Sequence, residues 1–160
     1  MGNDIIKKYI LPASIGIGLL VVSFFVYSTV MDYITTNKVK DAATTFVAKW
    51  GNFDDESSQK YLDSIKPLVT DVLYKDYLLN ADALKKMQAE YGPPTGSEIK
   101  ITNNTTSVVK NDDNSYTVKI TIDRVLIPKE MNLKSKERVE IKLVKKDRWL
   151  IDNVSSTKLE

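Results

Sequence analysis

An uncharged stretch of 23 residues near the N-terminus constrains this chain more than any other feature. Lys8 is the last charged residue before the stretch, and Asp32 is the first one after it. As an α-helix, these residues would extend about 34 Å, enough to cross the roughly 30 Å hydrocarbon core of a bilayer. A helix buried in a small domain is rarely apolar on all sides. The stretch therefore predicts a transmembrane helix over residues 9–33.

The end of the apolar stretch indicates whether the anchor is retained. A secretion signal has a shorter apolar region of about 7–15 residues, followed by small residues at a cleavage site. Here the stretch ends in VYSTVMDYITTNK, which has bulky side chains and no Ala-x-Ala pattern. The sequence has no cysteine, which excludes a lipoprotein anchor. We therefore predict an uncleaved anchor, with a cleaved signal as the alternative.

The flanking charges predict the orientation of the anchor. Lys7 and Lys8 adjoin the apolar stretch directly, and lysines in a short flanking segment favour the cytoplasmic side. Lysines also follow the stretch at greater distance: Lys38, Lys40 and Lys49. Because the first two are immediately adjacent, we expect residues 1–8 to be a short cytoplasmic tail. The expected location is the cell membrane, with a single pass and the C-terminal domain outside the cytoplasm.

Small residues within the predicted span offer a surface for helix association. Ser14 and Gly18 are four residues apart, which places them on one helical face. A small-x-x-x-small pair lets two membrane helices approach closely. We therefore interpret Ser14 and Gly18 as a candidate membrane helix contact.

The residues after the span continue a helical pattern. Apolar side chains recur at spacings of four, three and four, which is typical of one helical face: Val39, Ala43, Phe46 and Trp50. No Gly or Pro interrupts the chain between Gly18 and Gly51. We therefore expect residues 34–51 to form a stalk and the first helix of a domain.

Two shorter helices are expected before residue 92. The second helix has an apolar face: Tyr61, Leu62, Ile65, Leu68 and Val69. Pro67 should end or kink that helix. Thr70 and Asp71 are a typical N-terminal signal for a third helix, with Asn80 as a candidate boundary. The sequence GPPTG at 92–96 then stops helix formation.

After Gly96 the apolar period changes to two. The alternating residues are Ile99 and Ile101, then Tyr116, Val118, Ile120 and Ile122, then Val139, Ile141 and Leu143. This pattern predicts an antiparallel sheet with one buried and one solvated face. Turns at 111–115 (NDDNS) and 145–148 (KKDR) separate the strands, and WLIDNVSS forms the fourth. The predicted fold class is α+β, with three helices packed on four antiparallel strands.

The sequence predicts that this domain continues over residues 52–158. The final Leu159 and Glu160 resemble a cloning remnant, so we expect that the natural chain can continue past residue 158.

Composition argues against several functional classes. The net charge is only +2 and most basic residues are lysine, so we expect no direct contact with nucleic acid. Without His or Cys, a metal site or a Ser-His-Asp triad lacks its usual residues. The acidic runs at 54–56 and 111–114 lack the ligand spacing of an EF-hand. We expect the conceivable catalytic acids to be exposed or ion-paired: Asp71, Asp76, Asp123 and Asp152.

The sequence therefore predicts no catalytic residue, no metal and no cofactor. Alternating lysines on the solvated face of the sheet are expected to serve solubility. The alternative is that they attract an acidic partner.

The order of elements resembles a known family. A first helix that ends near Trp50, two shorter helices, an antiparallel sheet and a closing RWLIDNV strand resemble the nuclear-transport-factor-two-like fold, whose sheet is curved. An uncleaved anchor just before such a domain resembles the VirB8-like scaffold subunits of type IV secretion and conjugation systems. Gram-positive members of that family include TcpC-like and TraH-like transfer proteins. Members often carry an Asn-Pro-x-Gly loop; Pro94, Thr95 and Gly96 match its last three positions, and Pro93 departs from the first.

The resemblance implies a membrane-anchored assembly subunit of a DNA-transfer or secretion channel. Its expected partners are the lipid bilayer, other channel subunits and further copies of itself in the membrane. The candidate partner-contact loop is Pro93, Pro94, Thr95 and Gly96. Two alternatives stay open: an anchored ligand-binding or envelope-regulatory domain of the same fold, and a pocket enzyme. An enzyme would need a large pocket lined by a buried carboxylate.

Overall fold

The computed structural model describes residues 3–52, 58–91, 96–102, 106–127 and 134–159. Side chains are described for these residues except 3–20, 58, 82–91 and 127. The chain divides into two compact units, Met1–Asn37 and Lys38–Glu160.

The described residues of the first unit belong to a single α-helix. Helix α1 covers Asn3–Gly51, and the boundary between the units lies within it. Among the described residues of this unit, ten large apolar side chains between Val21 and Ile34 are exposed. In the described part of the chain, no helix combines the length and the apolarity that a bilayer crossing needs. Residues 9–20 of the predicted span lie outside the described side chains, so the transmembrane helix stays a prediction.

The second unit begins with the C-terminal part of α1. Its inward face carries fully buried side chains: Val39, Ala43, Phe46 and Val47. The helical spacing predicted the first three, whereas Val47 was not predicted. Helix α2 covers Ser58–Ile65, and a 3₁₀ turn follows at Lys66–Leu68. The α-helix ends there because Pro67 has no N–H to continue the hydrogen-bond ladder.

Helix α3 covers Asp71–Tyr91 and begins where the sequence predicted. Thr70 caps it, because its hydroxyl accepts a 3.4 Å hydrogen bond from the Leu73 N–H. The boundary predicted at Asn80 is wrong, since the helix continues for another eleven residues. A single Asn lowers helix stability by less than about 1 kcal/mol, which its strongly helical neighbours outweigh.

Among the described residues, five antiparallel strands form one sheet. Their bounds are β1 Gly96–Ile101, β2 Ser107–Lys110, β3 Tyr116–Ile127, β4 Lys134–Lys145 and β5 Trp149–Leu159. The order is β1-β3-β4-β5, and β2 also pairs with β3. Since β4 occupies one edge of β3, both β1 and β2 lie along the other.

The prediction of four strands is therefore wrong by one. Ile101 of β1 pairs with Ile122 of β3, and Ser107 of β2 pairs with Lys119 of β3. Two short strands therefore pair with the same edge of β3, where the sequence predicted one. Strand β2 has only four residues, and its Val108 and Val109 are adjacent. It therefore shows no alternation that a period of two could detect.

The core lies between the helices and one face of the sheet. The alternation predicted for β3 and β4 is confirmed, because Val118, Ile120 and Ile122 are fully buried. Val118 and Ile120 pair with the equally buried Ile141 and Val139 of β4. Phe46 is fully buried and lies 6.2 Å from the Trp50 ring. Trp50, which the helical spacing placed on the buried face, is half-buried and packs against this core, as does Trp149. The α+β class with three helices on an antiparallel sheet is confirmed.

Candidate functional site

The two predicted contact sites lie mainly outside the described residues. Residues 93–95 of the candidate partner loop fall there, whereas Gly96 is the buried first residue of β1. Ser14 and Gly18 lie in α1, but their side chains are outside the described set. Both contact sites therefore stay predictions.

The four conceivable catalytic acids are distributed over three elements. Asp71 and Asp76 are exposed on α3, Asp123 is exposed on β3, and Asp152 is half-buried on β5. The acidic run at 54–56 lies outside the described residues. Within the described part of the chain, no three acidic side chains gather at a distance suited to a metal ion.

The structure instead brings charged side chains together on the buried face of the sheet. Arg124 Nε donates a 2.9 Å hydrogen bond to Glu137 Oε1, and Arg124 Nη1 donates one of 2.9 Å to the Ser97 hydroxyl. The hydroxyls of Ser135 and Ser156 each donate to Glu137 at 2.7 Å. These five residues, here called the Arg124 cluster, join β1, β3, β4 and β5. The Arg124 and Glu137 side chains are only 12% and 14% exposed.

The Arg124 cluster also holds the C-terminal end of α1. The Ser97 hydroxyl donates a hydrogen bond to the Gly51 carbonyl, one of the carbonyls that a helix end leaves without a partner. The Arg124 guanidinium lies 4.9 Å from the centroid of the Trp50 ring, within the range of a cation–π interaction. Ion pair, hydroxyl and ring together fix the end of α1 on the sheet.

Electrostatics keep the ion pair charged. Burial alone would raise the pKa of Glu137, but hydrogen bonds from Ser156, Ser135 and Arg124, together with the arginine charge, outweigh it. The pKa of Glu137 therefore lies below its ordinary value of 4.5. At neutral pH this carboxylate is ionised and engaged, so it is a poor candidate for a general acid.

Two tyrosines adjoin the cluster near Trp50. The Tyr61 hydroxyl donates a 3.5 Å hydrogen bond to the Trp50 carbonyl. Burial raises the pKa of Tyr61 to about 12, and the positive charge of Arg124 opposes this only in part. Burial also raises the pKa of Tyr77, and proximity to Tyr61 adds to the effect. Both phenols are therefore neutral hydrogen-bonding groups at physiological pH.

These contacts indicate that the Arg124 cluster stabilises the fold. Among the described residues, every buried side-chain nitrogen and oxygen has a hydrogen-bond partner. A polar group whose partners are all supplied by the protein stabilises one arrangement of the chain.

Sequence reasoning missed the Arg124 cluster, although its signal was present. Arg124 continues the period-two series of β3 after Ile122, and Glu137 precedes Val139 in the same way on β4. The pattern thus placed two opposite charges on the buried face.

The solvated face of the sheet carries separate ion pairs. Lys119 lies 2.9 Å from Glu140, and Lys142 lies 2.8 Å from Asp113. The hydrogen bond from Lys142 lowers the pKa of Asp113, and bonds from Ser115 add to this. Further exposed cations form no ion pair with the described residues: Lys100, Lys136 and Arg138. The docking of an acidic partner on this face stays a prediction.

Neither a protein-family model nor a curated protein matches the sequence. Among solved structures, the chain is similar to CagV, a VirB8 homologue of the type IV secretion system from Helicobacter pylori. That match has a TM-score of 0.57 at 15% sequence identity and covers 76% of this chain and 98% of CagV.

The chain is also similar to the putative transfer protein TraH from the Gram-positive conjugative plasmid pIP501. The TM-score is 0.52 at 15% identity, and the match covers 78% of this chain and 93% of TraH. At this identity the likeness concerns the fold, and it extends over nearly the full length of both solved chains. The resemblance predicted from the order of elements is confirmed at that level: the chain has a VirB8-like fold.

Proposed function

We propose that this chain is a single-pass membrane subunit of a type IV secretion or conjugative DNA-transfer channel, in which its α+β domain serves as an assembly platform. The observation that carries the proposal is the likeness in fold to CagV and TraH, which extends over 76% and 78% of this chain. CagV is a VirB8 homologue of a type IV secretion system, and TraH is a putative transfer protein of a conjugative plasmid.

The side chains of α1 support the membrane anchor. Phe24, Phe25 and Tyr27 are between 63% and 68% exposed. Consecutive residues point in all directions around a helix, so the apolar surface surrounds the helix here. Such a surface is unfavourable in water and suited to lipid.

The polar side chains of the same segment also suit a lipid environment. The hydroxyls of Ser28 and Thr29 donate hydrogen bonds of 3.0 and 2.9 Å to the Phe25 carbonyl. The helix thus satisfies them internally, as a bilayer requires. This supports the predicted span over residues 9–33. The proposed orientation, with residues 1–8 in the cytoplasm, rests on Lys7 and Lys8 beside the span.

The polar groups of the domain support a role through protein contacts. The buried ones hold the fold together in the Arg124 cluster, and the four conceivable catalytic acids are distributed over α3, β3 and β5. The proposed function therefore involves no reaction. Other channel subunits and further copies of the chain are the proposed partners.

A transfer assay in the native host tests the proposal. Deleting the coding sequence should abolish transfer or secretion, and the full chain supplied in trans should restore it. A chain without residues 1–33 should fail to restore it, because the platform would no longer be confined to the membrane. The full chain should also co-purify with other channel subunits. Undiminished transfer after deletion would contradict the proposal, as would restoration by the truncated chain.

A further inference from the structure

The described residues leave the outer edge of β5 unpaired over most of its length. Strand β5 ends the order of the sheet, and β4 pairs with its inner edge. Among the described residues, backbone pairing on the outer edge occurs only at Ile151, which bridges Val69 and accepts a 2.8 Å hydrogen bond from the Thr70 N–H. Residues 153–159, here called the β5 edge, extend about 23 Å beyond this contact.

The β5 edge lacks the features that usually protect a free strand. It has no Pro and no Gly, and its only charge is Lys158. The one irregularity lies at its start: Lys142 pairs with Asn153 and Leu143 with Ile151, so that Asp152 is an extra residue.

The opposite edge of the sheet is protected. It consists of two short strands, β1 and β2, with a break between them. It also carries several exposed charges: Glu98, Lys100 and Lys110. The fold thus blocks pairing along one edge and leaves the other long and nearly neutral.

We infer that the β5 edge pairs with the β5 edge of a second copy of this chain, antiparallel about a two-fold axis at Ser155. In this register Asn153 faces Thr157 of the second copy, and Val154 faces Ser156. The faces of the two sheets match, because Val154 and Ser156 both lie on the side of the buried Ile141 and Val139. At the axis the two Ser155 side chains face each other, and a pair of small hydroxyl side chains suits adjacent strands.

Charge complementarity favours a second copy in this orientation. The β5 strand carries Asp152 near one end and Lys158 near the other. The antiparallel arrangement places Asp152 of each copy beside Lys158 of the other. A parallel arrangement would place like charges together, which is unfavourable.

Confinement to a membrane would strengthen this pairing. A single strand pair buries little surface, so its affinity in dilute solution is low. An anchor raises the effective concentration of the copies. In this respect the inference rests on the proposed function and specifies one of its contacts.

Disulfide cross-linking of the full chain in its membrane tests the register, because the sequence has no cysteine of its own. Ser155→Cys should give a product of twice the chain mass under mild oxidation, since the two cysteines face each other. Thr157→Cys alone should give little, because the two copies of that position lie about 13 Å apart. Co-expressed Asn153→Cys and Thr157→Cys chains should cross-link again. Lys100→Cys, on the protected edge, is the matched control.

A charge exchange tests the orientation. In the Ser155→Cys chain, Asp152→Lys should lower the cross-linked fraction roughly threefold, because it sets like charges beside each other. Adding Lys158→Asp should restore that fraction. Tryptophan fluorescence should show that each variant is folded.

Four results would overturn the inference. They are a Ser155→Cys chain that stays monomeric, equal cross-linking at Lys100, a charge exchange without effect, and a product with a different protein. If the full chain still co-purifies with channel subunits while Ser155→Cys does not cross-link, the proposed function stands and the β5 edge contact fails.

Discussion

Arg124 and Lys119 both pair with a glutamate of β4 at 2.9 Å, but they differ in exposure. The Arg124–Glu137 side chains are 12% and 14% exposed, whereas those of Lys119–Glu140 are 42% and 40% exposed. Removing one partner of a shielded pair leaves the other charge without compensation, while an exposed charge returns to water. Two pairs of equal length in one sheet therefore have very different consequences for stability.

We predict that Arg124→Ala lowers the free energy of unfolding by about 3 kcal/mol. Lys119→Ala, the matched control on the same two strands, should lower it by less than about 1 kcal/mol. Denaturant unfolding of the full chain in detergent, followed by tryptophan fluorescence, measures both. Equal losses would contradict the structural role of the Arg124 cluster.

The same cluster predicts a pH dependence. The pKa of Glu137 is lower in the folded chain than its ordinary value of 4.5. A carboxyl group whose pKa is lower in the folded state adds to the free energy of unfolding when the pH is above its unfolded-state pKa. This contribution is lost as the pH falls through the folded-state pKa. Glu137→Gln should therefore be clearly less stable than the natural chain at pH 7, and the difference should shrink below about pH 4.5.

Asp113→Asn is the control for this pH series, because the pKa of Asp113 is also lowered but its carboxylate is exposed on the solvated face. Its effect on stability at pH 7 should be the smaller of the two. A Glu137→Gln difference that stays constant from pH 7 to pH 3 would show that the carboxylate charge contributes nothing.

At the scale of elements, the contact between α1 and β1 depends on a glycine. Gly51 is buried at the end of α1, and a Cβ atom there would lie 2.5–2.7 Å from three side-chain atoms of Ile99. The neighbouring Asn52 accepts a 2.8 Å hydrogen bond from the Ile99 N–H, which holds β1 close. The strand therefore cannot easily move away from an added methyl group.

We predict that Gly51→Ala lowers the free energy of unfolding by about 1–3 kcal/mol through overpacking. Combining it with Ile99→Ala should be less destabilising than the sum of the two single changes, because the second substitution removes the colliding atoms. A double-mutant cycle of denaturant unfolding measures this coupling. Additive losses in the free energy of unfolding would mean that the added methyl group at position 51 does not collide with the Ile99 side chain.

The sequence predicted those elements whose signals are local. The alternation from Tyr116 to Ile122 located β3 and its buried face, and Thr70 located the start of α3. Strand β2 was missed because four residues with adjacent valines carry no period. The Arg124 cluster was missed because its ion pair depends on the register between β3 and β4, which sets Ile122 opposite Glu137. Close approaches such as Gly51 to Ile99 depend on tertiary packing and leave no pattern in the sequence.

At the scale of the whole molecule, an apolar helical segment precedes the α+β domain in the chain. The exposed apolar side chains between Val21 and Ile34 would be unfavourable in water. We predict that the full chain stays in the membrane fraction after alkaline carbonate washing, and that a chain without residues 1–33 is released. Cell fractionation with immunoblotting measures this. A full chain that the wash releases would contradict the anchor.

The most direct test of the central claim is the accessibility of a single cysteine in intact cells. Lys60 is exposed on α2, and the natural sequence has no cysteine to interfere. Lys60→Cys should react with a membrane-impermeant maleimide in intact protoplasts, because this domain lies outside the cytoplasm in the proposed topology. Asn3→Cys, in the predicted cytoplasmic tail, should react only after lysis. Labelling of Lys60→Cys only after lysis would contradict a membrane-anchored platform on the outer side of the membrane.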